Sequence, residues 1–86
     1  MRFQERSESV QAKQWLGTVA SARDLEVWGA GLVEGNWLRP DQCTFLAVFT
    51  PDGVMAAVSG DWLVLDASGA LHPCSPEVFA ARYRRG

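Results

Sequence analysis

The stretch from residue 43 to residue 74 constrains the fold most, because it alternates short β-rich segments with tight turns. Its first segment, CTFLAVFT at residues 43–50, is apolar on both faces, which is typical of a central strand with Phe49 in the core. Asp52-Gly53 is a strong hairpin signal after it. Two further turns follow at short, even spacing: Ser59-Gly60-Asp61 and Ala67-Ser68-Gly69. The pattern predicts an antiparallel meander of four strands.

Before this stretch, period-two alternation at residues 9–16 predicts a strand, with Val10 and Ala12 on one face and Lys13 and Trp15 on the other. A short helix is predicted over residues 21–28. Ala22, Leu25 and Trp28 would form its apolar stripe, and Ser21 with Asp24 a capping box. Residues 32–41 are turn-rich and predict an irregular loop.

After the four segments, Ser75-Pro76-Glu77 is a compact helix start, with serine as N-cap and proline at the first helical position. Phe79 and Tyr83 share one face of that helix. The predicted order is β-α-β-β-β-β-α. We expect an α+β fold in which a small antiparallel sheet carries two short helices, as a single domain over residues 1–86.

The chain is short, with 86 residues of which 48% are hydrophobic and 21% charged. A domain of this size buries only about 60–65% of the surface that its unfolded chain exposes. Its core is therefore thin, and a subunit interface would bury more. We expect a homo-oligomer, a dimer or a tetramer.

The charge distribution limits the kinds of partner that the protein is expected to bind. The net charge is −2, and the segment from residue 13 to residue 81 carries three basic and eight acidic residues. Such a surface repels a long nucleic acid but leaves room for a compact anion held by a few basic side chains. No run approaches the roughly 20 apolar residues of a membrane span, and the N-terminus has no apolar signal region. The expectation is a cytoplasmic protein without a membrane partner.

The residues give little support for catalysis. His72 is the one histidine, and Cys74 lies two residues further on the same predicted strand face, so a Cys–His pair is geometrically possible. Cys43 and Cys74 have no metal-like spacing and are expected to be free thiols, and a zinc site needs about four ligands. The sequence predicts no enzyme, no metal and no cofactor.

Four tryptophans in 86 residues are the most unusual feature of the composition. Each can belong to the core or stack on a ligand or a partner. Where aromatic and cationic residues coincide, a nucleotide could find both a stacking face and a phosphate partner. The candidate ligand-binding residues on this criterion are Lys13, Trp15, Trp37, Arg39, Arg82, Tyr83 and Arg84.

Three segments resemble motifs of a widespread family of small phage and prophage proteins. They are VQAKQWLG (residues 10–17), GVM with SGDWLV (residues 53–55 and 59–64), and LHPCSPEVF with RY (residues 71–79 and 82–83). The family patterns are V-E-A-x-Q-W-x-G, E-G-x-M…P-G-D-W-I-I and F-Y-P-C-K-P-D-I-F…T-Y. Ser59, His72 and Ser75 stand where the family has proline, an aromatic residue and lysine.

The resemblance implies a phage protein without an enzymatic activity. Small phage proteins of this make-up include the anti-CBASS sponges, oligomers that sequester cyclic oligonucleotide immune signals. By that likeness we expect an anti-defence protein that binds a cyclic di- or trinucleotide in a pocket formed by the oligomer, in the cytoplasm of an infected bacterium. The alternative is an interaction module that docks on a host or virion protein through exposed tryptophan.

Overall fold

The computed structural model of the chain describes the backbone of residues 2–5 and 8–85 and the side chains of residues 10–83. These residues form strands and helices in the following order: β1 Arg2–Glu5, β2 Glu8–Gln14, α1 Val19–Gly29, β3 Val33–Arg39, β4 Gln42–Thr50, β5 Gly53–Ala57, β6 Trp62–Leu65, β7 Leu71–Cys74, α2 Pro76–Arg82 and β8 Arg84–Arg85. The α+β class with short helices on antiparallel sheet is as predicted. No helix in the described part of the chain is both long enough and apolar enough to cross a membrane.

The strands form two antiparallel sheets, and this corrects the single four-stranded meander. The first sheet has the order β7-β6-β2-β1-β8 and the second the order β3-β4-β5. The Asp52-Gly53 hairpin is present. Gly53 has a positive φ of +124°, a backbone conformation that would be strained in a residue with a side chain. The next turn, at Gly60, leads from the second sheet to the first, where β6 pairs with β2.

The two sheets share the main core. Buried residues from α1 and from both sheets make one apolar cluster: Trp15, Ala22, Leu25, Val33, Leu46, Val48, Ala57, Leu63 and Leu71. A smaller cluster lies on the other face of the first sheet, where Val10, Ala12 and Val64 pack with Phe79 of α2. The first sheet is therefore covered on both faces, and the predicted placement of Val10 and Ala12 on one face of β2 is confirmed.

Strand β4 is buried on one face only. Leu46 and Val48 are fully buried against the first sheet, whereas Phe49 is 37% exposed on the outer face of the second. Its run of apolar residues is thus not the two-sided core strand that the sequence suggested, and the placement of Phe49 in the core is wrong. Phe45 and Ala47 share the outer face and are half-buried.

The observed N-cap matches the predicted one at α2 but not at α1. Ser75 caps α2 and its hydroxyl oxygen accepts a hydrogen bond from the Val78 amide at 3.3 Å, with Pro76 in the first turn, as predicted. Helix α1 begins two residues earlier than predicted, since Thr18 is its N-cap and accepts from the Ser21 amide at 3.1 Å. The predicted capping box from Ser21 to Asp24 is therefore wrong. Ala22 and Leu25 are nevertheless buried as expected.

Candidate functional site

A cleft of about 490 Å³ opens beside β7, and we call it the His72 cleft. It lies where β6, β7 and α2 of the first sheet's layer meet β5 of the second sheet. Its lining is Val10, Met55, Val64, Asp66, His72, Pro73, Cys74, Ser75, Val78, Arg82 and Tyr83. The lining combines apolar side chains with polar and charged ones, which is compatible with a small-ligand site.

Strand β7 places His72 and Cys74 in this cleft. His72 and Cys74 alternate with Leu71, which is buried in the main core, so both line the cleft as the period-two pattern predicts. Neither cysteine forms a disulfide, as expected. Burial raises the pKa of the other one, Cys43, above its ordinary 9.0, so that thiol stays protonated at neutral pH.

Asp66 supplies the negative charge beside His72, with its Oδ2 lying 3.9 Å from Nε2 of the imidazole. The carboxylate is held by its own turn. Its Oδ1 accepts hydrogen bonds from the Ser68 hydroxyl, from the Ser68 amide at 2.9 Å and from the Ala70 amide at 3.1 Å. The Ser68 hydroxyl contributes most to lowering the pKa of Asp66 below its ordinary 3.8, with the backbone donors and His72 adding to it against the opposing effect of burial.

This lowered pKa predicts a pH dependence of stability. A depressed folded-state pKa stabilises the fold above pH 3.8, and the contribution is lost as the pH falls through the lower folded value. Asp66→Asn should therefore unfold at lower temperature than the wild type at pH 7, and the gap should be smaller at pH 3. Thermal unfolding of both proteins at the two pH values measures this. Asp41→Asn, at an exposed aspartate, is the control; an Asp66→Asn gap that persists unchanged at pH 3 would contradict the assignment.

An aromatic stack supports Tyr83 at the edge of the cleft. The rings of Trp62 and Phe79 are parallel within 3° with centroids 4.1 Å apart, and Phe79 stacks in turn on Tyr83 at 5.2 Å. Trp62 comes from β6 and the other two from α2 and its C-terminal cap. Tyr83 therefore presents its ring to the cleft from a supported position.

Trp15 does not belong to a ligand site. It follows β2 directly, on the face opposite Val10 and Ala12, and is 1% exposed in the main core. The predicted role of Trp15 as a ligand-stacking ring beside Lys13 is therefore wrong. Lys13 instead forms an ion pair with Asp24 at 2.7 Å. It lies with Trp62 at a separate, shallower depression of about 630 Å³.

Trp37 and Arg39 lie on a strand, not in the irregular loop that the sequence predicts. The strand is β3. Its register against β4 shifts between Gly35 and Trp37 and again between Trp37 and Arg39. Because of these irregularities, its sequence lacks the regular apolar–polar alternation of a strand. The two side chains have different partners. Arg39 donates to the Gln42 side chain at 2.9 Å.

Trp37 is held by two residues of α1 that the sequence reasoning missed. Its indole N–H donates to Glu26 Oε2 at 3.0 Å, and the Arg23 guanidinium lies 4.6 Å from the ring centroid. The same Glu26 oxygen accepts from the Gly35 amide, and a side chain at Gly35 would lie 2.7 Å from the indole nitrogen. The i, i+3 spacing of Arg23 and Glu26 on the helix was the available signal.

Of the seven candidate ligand-binding residues, Arg82 and Tyr83 come together in the His72 cleft. The side chain of Arg84 lies outside the described residues. Within the described part of the chain, no group of three or more His, Cys, Asp or Glu side chains is placed to hold a metal ion.

Comparisons with known proteins add no identification, since no family model, curated protein or solved structure matches this chain. The fold and the cleft thus define its class: a small α+β protein of two antiparallel sheets with a cleft lined by apolar side chains together with histidine, arginine and tyrosine.

Proposed function

We propose that the protein binds a compact anionic ligand, a cyclic di- or trinucleotide, in the His72 cleft and sequesters it without chemical change. The observation that carries this proposal is the meeting of Arg82 and Tyr83, a cation and a supported aromatic ring, with His72 in one cleft. The resemblance to phage proteins supplies the setting, an anti-defence sponge in the cytoplasm of an infected bacterium.

The chemistry of the lining suits such a ligand. A guanidinium makes charge-assisted, often paired hydrogen bonds to phosphate oxygens, which Arg82 can offer at the exposed end of α2. Tyr83 offers a ring for a base, and stacking on an aromatic side chain tolerates any base. The volume of about 490 Å³ falls within the range of small-ligand sites, roughly 300–1,000 Å³.

The charge of one cleft is small, and this supports an oligomeric pocket. Arg82 is the arginine in the lining, and the negative charge of Asp66 stands near His72. A cyclic dinucleotide carries two phosphates, so a symmetric pair of chains would supply one arginine to each. The homo-oligomer expected from the thin core fits this stoichiometry.

Calorimetric titration with a panel of cyclic di- and trinucleotides tests the proposal, followed by chromatography of the recovered ligand. We expect binding by at least one member of the panel and recovery of intact ligand. Because His72 and Cys74 share the cleft, appearance of linear nucleotide would instead mean an enzyme. Absence of binding across the panel would favour the docking module.

Removal of Arg82 should weaken this binding strongly. Loss of a hydrogen bond to a charged group costs about 1.5–3 kcal/mol, so Arg82→Ala should raise Kd roughly 10- to 100-fold. Arg39→Ala is the matched control, because Arg39 is exposed on the second sheet outside the cleft. Calorimetry gives both constants. Weaker binding in Arg39→Ala with unchanged binding in Arg82→Ala would place the site elsewhere.

A further inference from the structure

Among the described residues the two sheets end in four edge strands, and three of these carry features that discourage pairing with another chain. Strand β3 has two register shifts and the charged residues Glu34 and Arg39. Strand β7 has four residues including Pro73, and β8 consists of two arginines. Short length, charge, proline and bulges are the usual protections of exposed sheet edges.

The fourth edge, β5, has none of these protections. Its sequence Gly53-Val-Met-Ala-Ala57 contains no charge and no proline, and its register with β4 is regular throughout. From Gln42 to Gly60 the chain carries one charged residue, Asp52, which sits in the hairpin turn. An open and neutral edge of this kind is a template for a further strand.

The surface around β5 is apolar as well as neutral. Val54 is 63% and Met55 48% exposed, and Phe49 and Val58 expose a large fraction beside them. At roughly 150–200 Å² for a full side chain, their exposed parts amount to about 300–400 Å² per chain. Two copies would bury at most about 600–800 Å² of apolar surface, since Val54 and Phe49 lie on one face of the sheet and Met55 on the other. Because interfaces are about 56–65% apolar, this corresponds to an upper limit of roughly 1,000–1,300 Å² in total, the area of a specific dimer of the smaller kind.

We propose that two copies of the chain pair through β5, antiparallel about a two-fold axis near Met55, and join their second sheets into one six-stranded sheet. Pairing about this axis puts Val54 opposite Ala56 of the partner subunit and Gly53 opposite Ala57 of the partner subunit. Every opposed pair is small or apolar and none brings like charges together, so the strand complements itself. A second copy satisfies this symmetry without any further partner.

The interface lies beside the His72 cleft, because Met55 belongs both to β5 and to the lining. Pairing would place the clefts of two chains on either side of the axis. The proposal does not depend on the ligand, and its test is made without one.

Sedimentation equilibrium of the full chain measures the association. Concentrations of about 5–100 µM suit a dimer with a dissociation constant in the micromolar range. We expect a mass of twice 9.4 kDa for the wild type. Val54→Lys puts a charge on the edge at a solvent-exposed position, and we expect it to raise the dimer Kd at least about tenfold. Val27→Lys, on the 80% exposed face of α1, is the matched control and should remain dimeric.

Circular dichroism melting confirms that each variant is folded. Because Val54 is exposed, Val54→Lys should keep its β-sheet spectrum, and any loss of association then reports on the edge. A monomeric wild type across the range would overturn the proposal. Association that Val54→Lys leaves unchanged would overturn it equally, since the contact would then lie on another face.

Discussion

Replacing Trp15 with alanine is expected to remove about 3–5 kcal/mol from the free energy of unfolding, a large share for a domain of this size. Trp15 is 1% exposed and packs in the cluster that joins α1 to both sheets, so its removal leaves a cavity that neither sheet can fill alone. Urea unfolding followed by circular dichroism measures the loss.

Trp15→Phe is the matched variant. The indole Nε1 of Trp15 is buried without a hydrogen-bond partner among the described residues, and an unpaired buried donor costs about 1–3 kcal/mol. Phenylalanine removes that penalty while leaving a smaller cavity, so we expect a net loss below about 1.5 kcal/mol. A Trp15→Ala protein as stable as the wild type would mean that Trp15 is not a core residue.

Leu46→Ala and Phe49→Ala should separate the two faces of β4. Leu46 is fully buried between the sheets, and its truncation should cost about 2–5 kcal/mol. Phe49 lies on the outer face, where the larger side chain should contribute only about 1 kcal/mol to the monomer. Unfolding of both variants at low micromolar concentration makes the comparison. A larger loss at Phe49 than at Leu46 would contradict the one-sided burial of this strand.

The parts of the fold that the sequence predicts correctly depend on neighbouring residues. The N-cap of α2 follows from Ser75 and Pro76 alone, because the hydroxyl of the first and the fixed φ of the second act within one turn. The shared face of Val10 and Ala12 on β2 follows in the same way from their period-two spacing.

The parts that it misses depend on pairing between distant segments. A turn at Gly60 has the same local chemistry whether the next strand continues the sheet or crosses to another, and here β6 pairs with β2. The apolar run of β4 likewise does not tell which of its faces another sheet covers. Alternation places Trp15 on the face of the first sheet opposite Val10 and Ala12, as found, but does not tell that the main core covers that face.

In the candidate site, too, the sequence predicts single residues and misses the contacts between distant segments. Arg82, Tyr83 and the His72 strand face were in the sequence as separate signals, but β7 and α2 bring them to one cleft with Met55 of the other sheet. The sequence predicts that Trp37 and the neighbouring cation Arg39 act together in a ligand site. Its cation is Arg23 on α1 and its acceptor is Glu26, and only the packing of α1 on the second sheet makes this visible.

Ligand binding in the His72 cleft is tested most directly by NMR titration of the isotope-labelled chain with a cyclic dinucleotide, following backbone amides and the His72 ring. The proposal predicts the largest shift changes at Val64, His72, Cys74 and Tyr83, which surround the cleft. Residues at the depression beside Lys13, such as Ser21 and Asp24, should change little. Shift changes centred on Lys13 and Ser21, or none at a saturating concentration of any ligand in the panel, would contradict it.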